Sequence, residues 1–184
     1  MPQSIRRFDL GWVVVLGFAT FSAWPFLTRP GLPTMTDAEM HVYRAAEVQY
    51  AIADGTLYPR WASDFYYGYG YPVFNYYSPL TYHVAAWYAR LSGTDAVAGT
   101  KLVLILAAYL GAAGMYLFAR RRWSPGVGVV ASAAWTLAPY VMFIDPHARG
   151  DAPETFALSI APVLLWLFDC VRASGSQRTM AVAA

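Results

Sequence analysis

The chain has 184 residues, of which 58% are hydrophobic, 17% aromatic and 13% charged, with a net charge of +2. A soluble domain carries roughly a quarter charged residues, so this composition reads as a membrane protein. The small net charge and the lack of a long basic run exclude a nucleic-acid-binding face, and the single cysteine, Cys170, excludes an intrachain disulfide or a Cys-rich metal site.

A bilayer-spanning helix needs about 20 apolar residues. Leu10–Thr28, Leu102–Ala119 and Ser124–Ile144 are uncharged, and Pro153–Val171 carries charge only at Glu154 and Asp169. These stretches predict spans at about 10–28, 99–119, 124–144 and 153–171. A loop over 29–98 lies between the first two. It holds two shorter helical stretches, at about 37–53 and 79–92. In the second, Ser78 and Pro79 suit a helix start, and Leu80, Val84, Trp87 and Leu91 form an apolar stripe. At ~1.5 Å per residue that helix reaches only about 21 Å, too short to cross a core of ~30 Å. Both helices are therefore expected to lie in the interface. The predicted fold class is an all-α membrane protein with about four spans.

Charge sets the orientation. Arg6 and Arg7 precede the first span, Arg120–Arg122 follow the second, and Arg172 and Arg178 follow the fourth. With the 79–92 helix not crossing, every one of these groups falls on the cytoplasmic side, as the positive-inside rule asks. With it crossing, the triple arginine would fall outside. The expected protein is a multi-pass plasma-membrane protein with a cytoplasmic N-terminus. Its first span is retained rather than cleaved as a signal peptide, because the apolar run is long and Phe21 spoils a cut after Ala23. The long loop and the short loop after the third span then share the outer face.

Each of those loops carries a knot of charge. In TMTDAEMHVYRAAE, Thr36 and Glu39 have capping-box spacing, Asp37 suits a first helical turn, and Arg44 and Glu47 can pair on a helix surface. Asp37 and His41, four apart, are either a chance helix-face pair or an acid–base or metal-binding pair. In DPHARGDAPE, Asp145, His147, Arg149, Asp151 and Glu154 surround the end of the third span, and Asp151 or Ala152 can cap the fourth. They read either as interfacial polar residues or as a pocket with Arg149 as an anion clamp. Between the two knots, twelve of the 28 residues from Trp61 to Tyr88 are aromatic. That stretch is either a membrane-interface belt or the wall of a cleft suited to sugar rings or a lipid-linked substrate.

The series DAEMHVYRAAEVQYAIADGTLYPRW, GYGYPVFNYYSPLTYH and ARGDAPETFALSIAPVLLW resembles the N-terminal part of a prokaryotic multi-spanning family, the 6-pyruvoyl-tetrahydropterin-synthase-related membrane proteins. Nothing in the chain offers the zinc-binding histidines of the pterin enzyme. The architecture is similar to GT-C glycosyltransferases, with a first span, a long outer loop bearing two interfacial helices, and further spans. The resemblance implies sugar transfer from a polyprenyl-phosphate donor at the outer face. It makes Asp37 the matching catalytic base, with Glu39 as the second choice. It implies substrate contacts at His41, Arg149, Glu154, Arg60, Trp61, Tyr69 and Tyr71. It also implies a divalent metal, Mg or Mn, held by Asp145, His147 and Asp151, although the second loop lacks an Asp-x-Asp or Asp-x-Glu. Membrane lipids and a polyprenyl-phosphate-linked sugar are the expected partners, and nucleic acid is not one. GT-C enzymes have more spans than four, so the chain reads as the N-terminal part of a longer enzyme and is not expected to act alone. The alternative is a non-catalytic protein holding a lipid or glycan in its aromatic loop. A transporter fits less well, because the ionisable groups sit at span ends rather than at mid-depth.

Overall fold

The computed structural model describes residues 9–33 and 36–174. Arg6, Arg7, Arg178 and the C-terminal GSQRTMAVAA fall outside the described residues. Six α-helices form among the described residues: α1 (Leu10–Thr28), α2 (Ala38–Ala53), α3 (Leu80–Ser92), α4 (Ala96–Arg122), α5 (Pro125–Thr136) and α6 (Ala152–Ser174). A π-helix, π1 (Tyr140–Arg149), continues the line of α5. No strand forms among the described residues; one isolated bridge joins Ala62 to Tyr71.

Four helical segments are long and apolar enough to span a bilayer: Leu10–Thr28, Ala96–Arg122, Pro125–Arg149 and Ala152–Ala173. Contacts between their ends give the topology. Asp9, before α1, pairs with Arg120 near the end of α4. Asp169, near the end of α6, pairs with Arg121 and Arg122 from α4. At the other end of the bundle, the Lys101 ammonium in the second turn of α4 donates to the Arg29 carbonyl just past α1. Thr36 donates to the Ala148 carbonyl near the end of π1. The segment from 29 to 95 therefore returns to the end it left. Both loops sit at that end, here called the loop end, and the arginines of α4 gather at the basic end.

The spans differ from the expected ones mainly at the third. The uncharged run stops at Ile144, yet helical geometry continues through Arg149. The wider π turn tolerates Pro146, which lacks an N–H. It also brings Asp145 and Arg149 together at 3.0 Å, so the charges that would end an apolar span neutralise one another. Within the bundle, α4 is central, packing on α1, α3, α5 and α6. Side chains bond across the apolar interior: Ser132 donates to the Ala112 carbonyl at 2.9 Å, and the Thr20 and Tyr109 hydroxyls meet at 2.7 Å.

The two short helices pack at the loop end. Buried residues of α2 recur at Ala38, His41, Ala45, Val48 and Ile52, one face of a helix. For α3 the buried face is not the expected stripe. Thr81, Tyr82, Ala85, Ala86 and Ala89 are buried, whereas Leu80 and Leu91 are 52% and 81% exposed. Small residues win because α3 approaches α4 closely: a Cβ on Gly99 would lie 2.3 Å from the Ala85 carbonyl oxygen. The larger stripe is left uncovered, the arrangement of a helix that lays an apolar face on lipid.

Candidate functional site

The loop end joins α2 to π1 through the backbone first. The Asp37 N–H donates to the Arg149 carbonyl at 2.7 Å, and Thr36 donates to the Ala148 carbonyl through both its N–H and its hydroxyl. These bonds join residues 112 positions apart. They replace the expected capping box. Thr36 is committed to π1, Asp37 is the N-cap without a side-chain cap bond, and Glu39 is exposed with no side-chain partner among the described residues.

Arg149 lies at the centre. Its Nη1 is 2.8 Å from Glu154 Oε2 and 3.0 Å from Asp145 Oδ1, its Nη2 is 3.2 Å from Asp151 Oδ2, and its Nε is 3.7 Å from Asp37 Oδ2. Nη1 also donates to the Tyr140 hydroxyl, which in turn donates to Glu154 Oε1 at 2.6 Å. Four carboxylates thus share one guanidinium. Asp145 is fully buried and takes a second bond from the Thr155 hydroxyl at 2.8 Å. Asp151 Oδ1 accepts the Glu154 N–H and so caps α6. Arg149 stays 36% exposed, but both of its terminal nitrogens are bonded to carboxylates and its Nε faces a fourth. Its geometry departs from the expected clamp because carboxylates already occupy the bidentate positions.

Behind this group runs a buried relay. Arg44 Nη1 donates to the Tyr82 hydroxyl at 3.1 Å, and the same hydroxyl is 2.9 Å from His41 Nδ1. Arg44 can only donate, so the Tyr82 oxygen accepts from it. On the other side of the ring, His41 Nε2 faces Asp151 Oδ1 from 3.5 Å without making a hydrogen bond. His41 is 1% exposed. Burial holds its imidazole below the ordinary histidine value, partly opposed by the Asp151 carboxylate. Burial likewise raises the Tyr82 phenol, partly opposed by Arg44. The expected surface pair of Arg44 and Glu47 does not form. Arg44 is buried over the Tyr77 ring at 3.9 Å, and Glu47 turns away to accept the Ser63 and Asp64 N–H groups. Burial raises the Glu47 carboxyl against the pull of those two N–H bonds.

Glu47 thereby anchors the aromatic loop. Ala62 and Tyr71 exchange backbone bonds of 2.8 and 2.9 Å, closing a turn in which Tyr66, Tyr67, Gly68 and Gly70 all have positive φ. Gly70 is required, since a Cβ there would lie 2.1 Å from Trp61 Nε1. The YPRW and GYGYP stretches thus fold onto each other. Trp61 and Tyr69 are 55% and 86% exposed, and Arg60 reaches only Asn75, at 3.4 Å. Among the described residues, no hydrogen bond or ion pair joins Arg60, Trp61, Tyr69 or Tyr71 to the Arg149 group.

The expected metal ligands do not converge. Asp145 and Asp151 share Arg149, while His147 Nε2 donates to the Ser22 carbonyl at 3.0 Å and its ring stacks on Phe26 at 4.4 Å. No group of three or more His, Cys, Asp or Glu among the described residues is arranged to hold a metal ion. The residues present do not fit a Mg or Mn centre of that composition. The sequence signal missed Tyr140 and Thr155, which bond the Arg149 group from π1 and α6, and Tyr82, which bonds His41 and Arg44 from α3. A tyrosine or threonine in an apolar helix gives no local sign of its partner.

Four apolar helices of spanning length, with both loops at one end, define a multi-pass helical membrane protein. A family model described as 6-pyruvoyl-tetrahydropterin synthase related domain, membrane protein, matches residues 74–184. That is more than half of the chain, and the chain belongs to this family of membrane proteins. No curated protein and no solved structure matches it significantly.

Proposed function

We propose that the chain carries the acceptor-activating part of a GT-C-like glycosyltransferase, with its loop end on the outer face of the plasma membrane and a polyprenyl-phosphate sugar as donor. One observation carries this reading. Asp37, a third exposed, is fixed through its N–H and through Arg149 at the end of a spanning helix, beside three further carboxylates. A carboxylate so held, yet open to solvent, suits a general base at a membrane edge. Asp37 takes the proton of an acceptor hydroxyl as that oxygen bonds to the sugar and the sugar–phosphate bond breaks. Arg149 positions Asp37 and keeps the neighbouring acids paired. Glu39 is the second carboxylate within reach of the same edge.

The test is Asp37→Asn in the full-length protein, scored by transfer of labelled sugar from a polyprenyl-phosphate donor in membranes. Loss of a positioned base lowers the rate roughly 10²- to 10⁴-fold. Unchanged products would sink the catalytic reading. The second reading, a lipid- or glycan-binding protein without catalysis, draws on the exposed rings of Tyr66, Tyr67, Tyr69 and Tyr76. It expects Asp37→Asn to be silent and Tyr69→Ala to lose ligand.

A further inference from the structure

Arg149 of the second charged knot is bonded by acids, but another arginine at the same end is not. Arg29 directly follows α1, and its guanidinium has no hydrogen-bond or ion-pair partner among the described residues. The Lys101 ammonium donates to the Arg29 backbone carbonyl at 2.6 Å but lines a separate cavity with Leu27, Tyr88 and Leu102, and no carboxylate pairs with either side chain among the described residues. Arg29 stands at the rim of a groove of about 390 Å³ between α1 and π1. Phe21, Trp24, Met142 and Phe143 line it, with His147 inside. Phe21, Trp24 and Phe143 are 63%, 58% and 59% exposed, so no helix among the described residues covers them. The groove wall is rigid, since His147 is fixed by the Ser22 carbonyl and the Phe26 ring.

We infer that this groove seats a membrane lipid with a terminal phosphate head, its phosphate on Arg29 and its chain along Phe21, Trp24 and Phe143. Three physical facts carry the inference. The groove flanks two spanning helices, so its apolar side faces hydrocarbon and its rim meets the head-group layer. A guanidinium fork matches phosphate oxygens bidentately. With no carboxylate paired to it among the described residues, Arg29 is complementary to an anion, unlike Arg149, whose surroundings are acidic. The inference does not depend on sugar transfer.

The test uses the full chain in detergent micelles and native mass spectrometry, with dioleoyl phosphatidic acid and dioleoyl phosphatidylcholine as competing probes. The wild type is expected to retain phosphatidic acid preferentially. Arg29→Gln is expected to lower that preference roughly tenfold or more, the weight of a charged hydrogen bond. Arg29→Lys, which keeps charge without the fork, gives a smaller loss. Arg90→Gln, an exposed cation on α3 outside the groove lining, leaves retention unchanged. Equal retention in wild type and Arg29→Gln overturns the inference, and so does an equal loss in Arg90→Gln. Displacement of the lipid by inorganic phosphate alone, at matched concentration, also overturns it, because the site would then read the head without the chain. Should Arg29→Gln fail to fold, unchanged retention in Arg29→Lys overturns it equally.

Discussion

The two ends of the bundle are near mirror images in charge. At the loop end one arginine, Arg149, is shared by Asp37, Asp145, Asp151 and Glu154. At the basic end one carboxylate, Asp169, is shared by Arg121, Arg122 and Arg172. In each case the minority charge sits at the centre and the majority charge surrounds it. The ends differ in the depth of their surrounding charges. Asp169 is itself buried, but its arginines are 43%, 44% and 58% exposed, so water can take them if Asp169 is lost. Asp145 on the other side is fully buried, and the relay through His41, Tyr82 and Arg44 lies behind it. The basic end thus has the character of a surface anchor, which fits the positive-inside rule. The loop end is a packed polar site whose members depend on each other.

The sharpest way to break that comparison is to remove each central charge. Arg149→Leu should give the largest fall in melting temperature, because it leaves buried Asp145 facing three other acids without a counter-ion. Asp169→Asn should give a much smaller fall in the same nanodisc melting experiment, since its arginines turn to water and lipid phosphate. Similar falls for the two variants would contradict the difference in depth.

Next in size is Tyr82→Phe. It removes one hydroxyl but leaves buried Arg44 and His41 each short of a partner, at a cost of about 1–3 kcal/mol. SDS titration of the protein in bicelles measures it. A change near zero would mean that the relay is replaced by water without loss.

The smallest expected effect is on pH dependence. Burial depresses the folded-state His41 value below the ordinary one of about 6.5. Between those two values the unfolded chain binds the proton and the folded chain does not. The His41 contribution is therefore fully present above about pH 6.5 and is lost as pH falls toward the folded value. The slope reaches at most ~1.4 kcal/mol per pH unit. His41→Gln should flatten the melting curve in that window. An identical pH profile in the variant would remove His41 from the titrating set.

Much of the architecture was legible in the residues. The uncharged runs located four spans, and the arginine groups arranged them so that the 79–92 helix stays at one end. Those signals are local or additive, and the bilayer makes them strong. The face of α3 was not legible. The stripe Leu80, Val84, Trp87 and Leu91 has the right period, but periodicity does not say whether protein or lipid covers it. Gly99 decided the matter by admitting the backbone of Ala85. The third span outran its apolar sequence because Asp145 and Arg149 pair within it, which no hydropathy window detects.

The same division holds at the site. The sequence by itself determined which ionisable groups stand at span ends, and that the two knots face one aqueous side, because charge cannot be left in hydrocarbon. The tertiary structure decided how those groups are used. Backbone bonds between α2 and π1 set Asp37 against Arg149, and Tyr82 joined buried His41 to buried Arg44. Glu47 went to the aromatic loop instead of to Arg44. Arg149 was taken up by acids while Arg29 was left free. Pairing among ions depends on distances between residues far apart in the chain, and those distances exist only once the helices have packed.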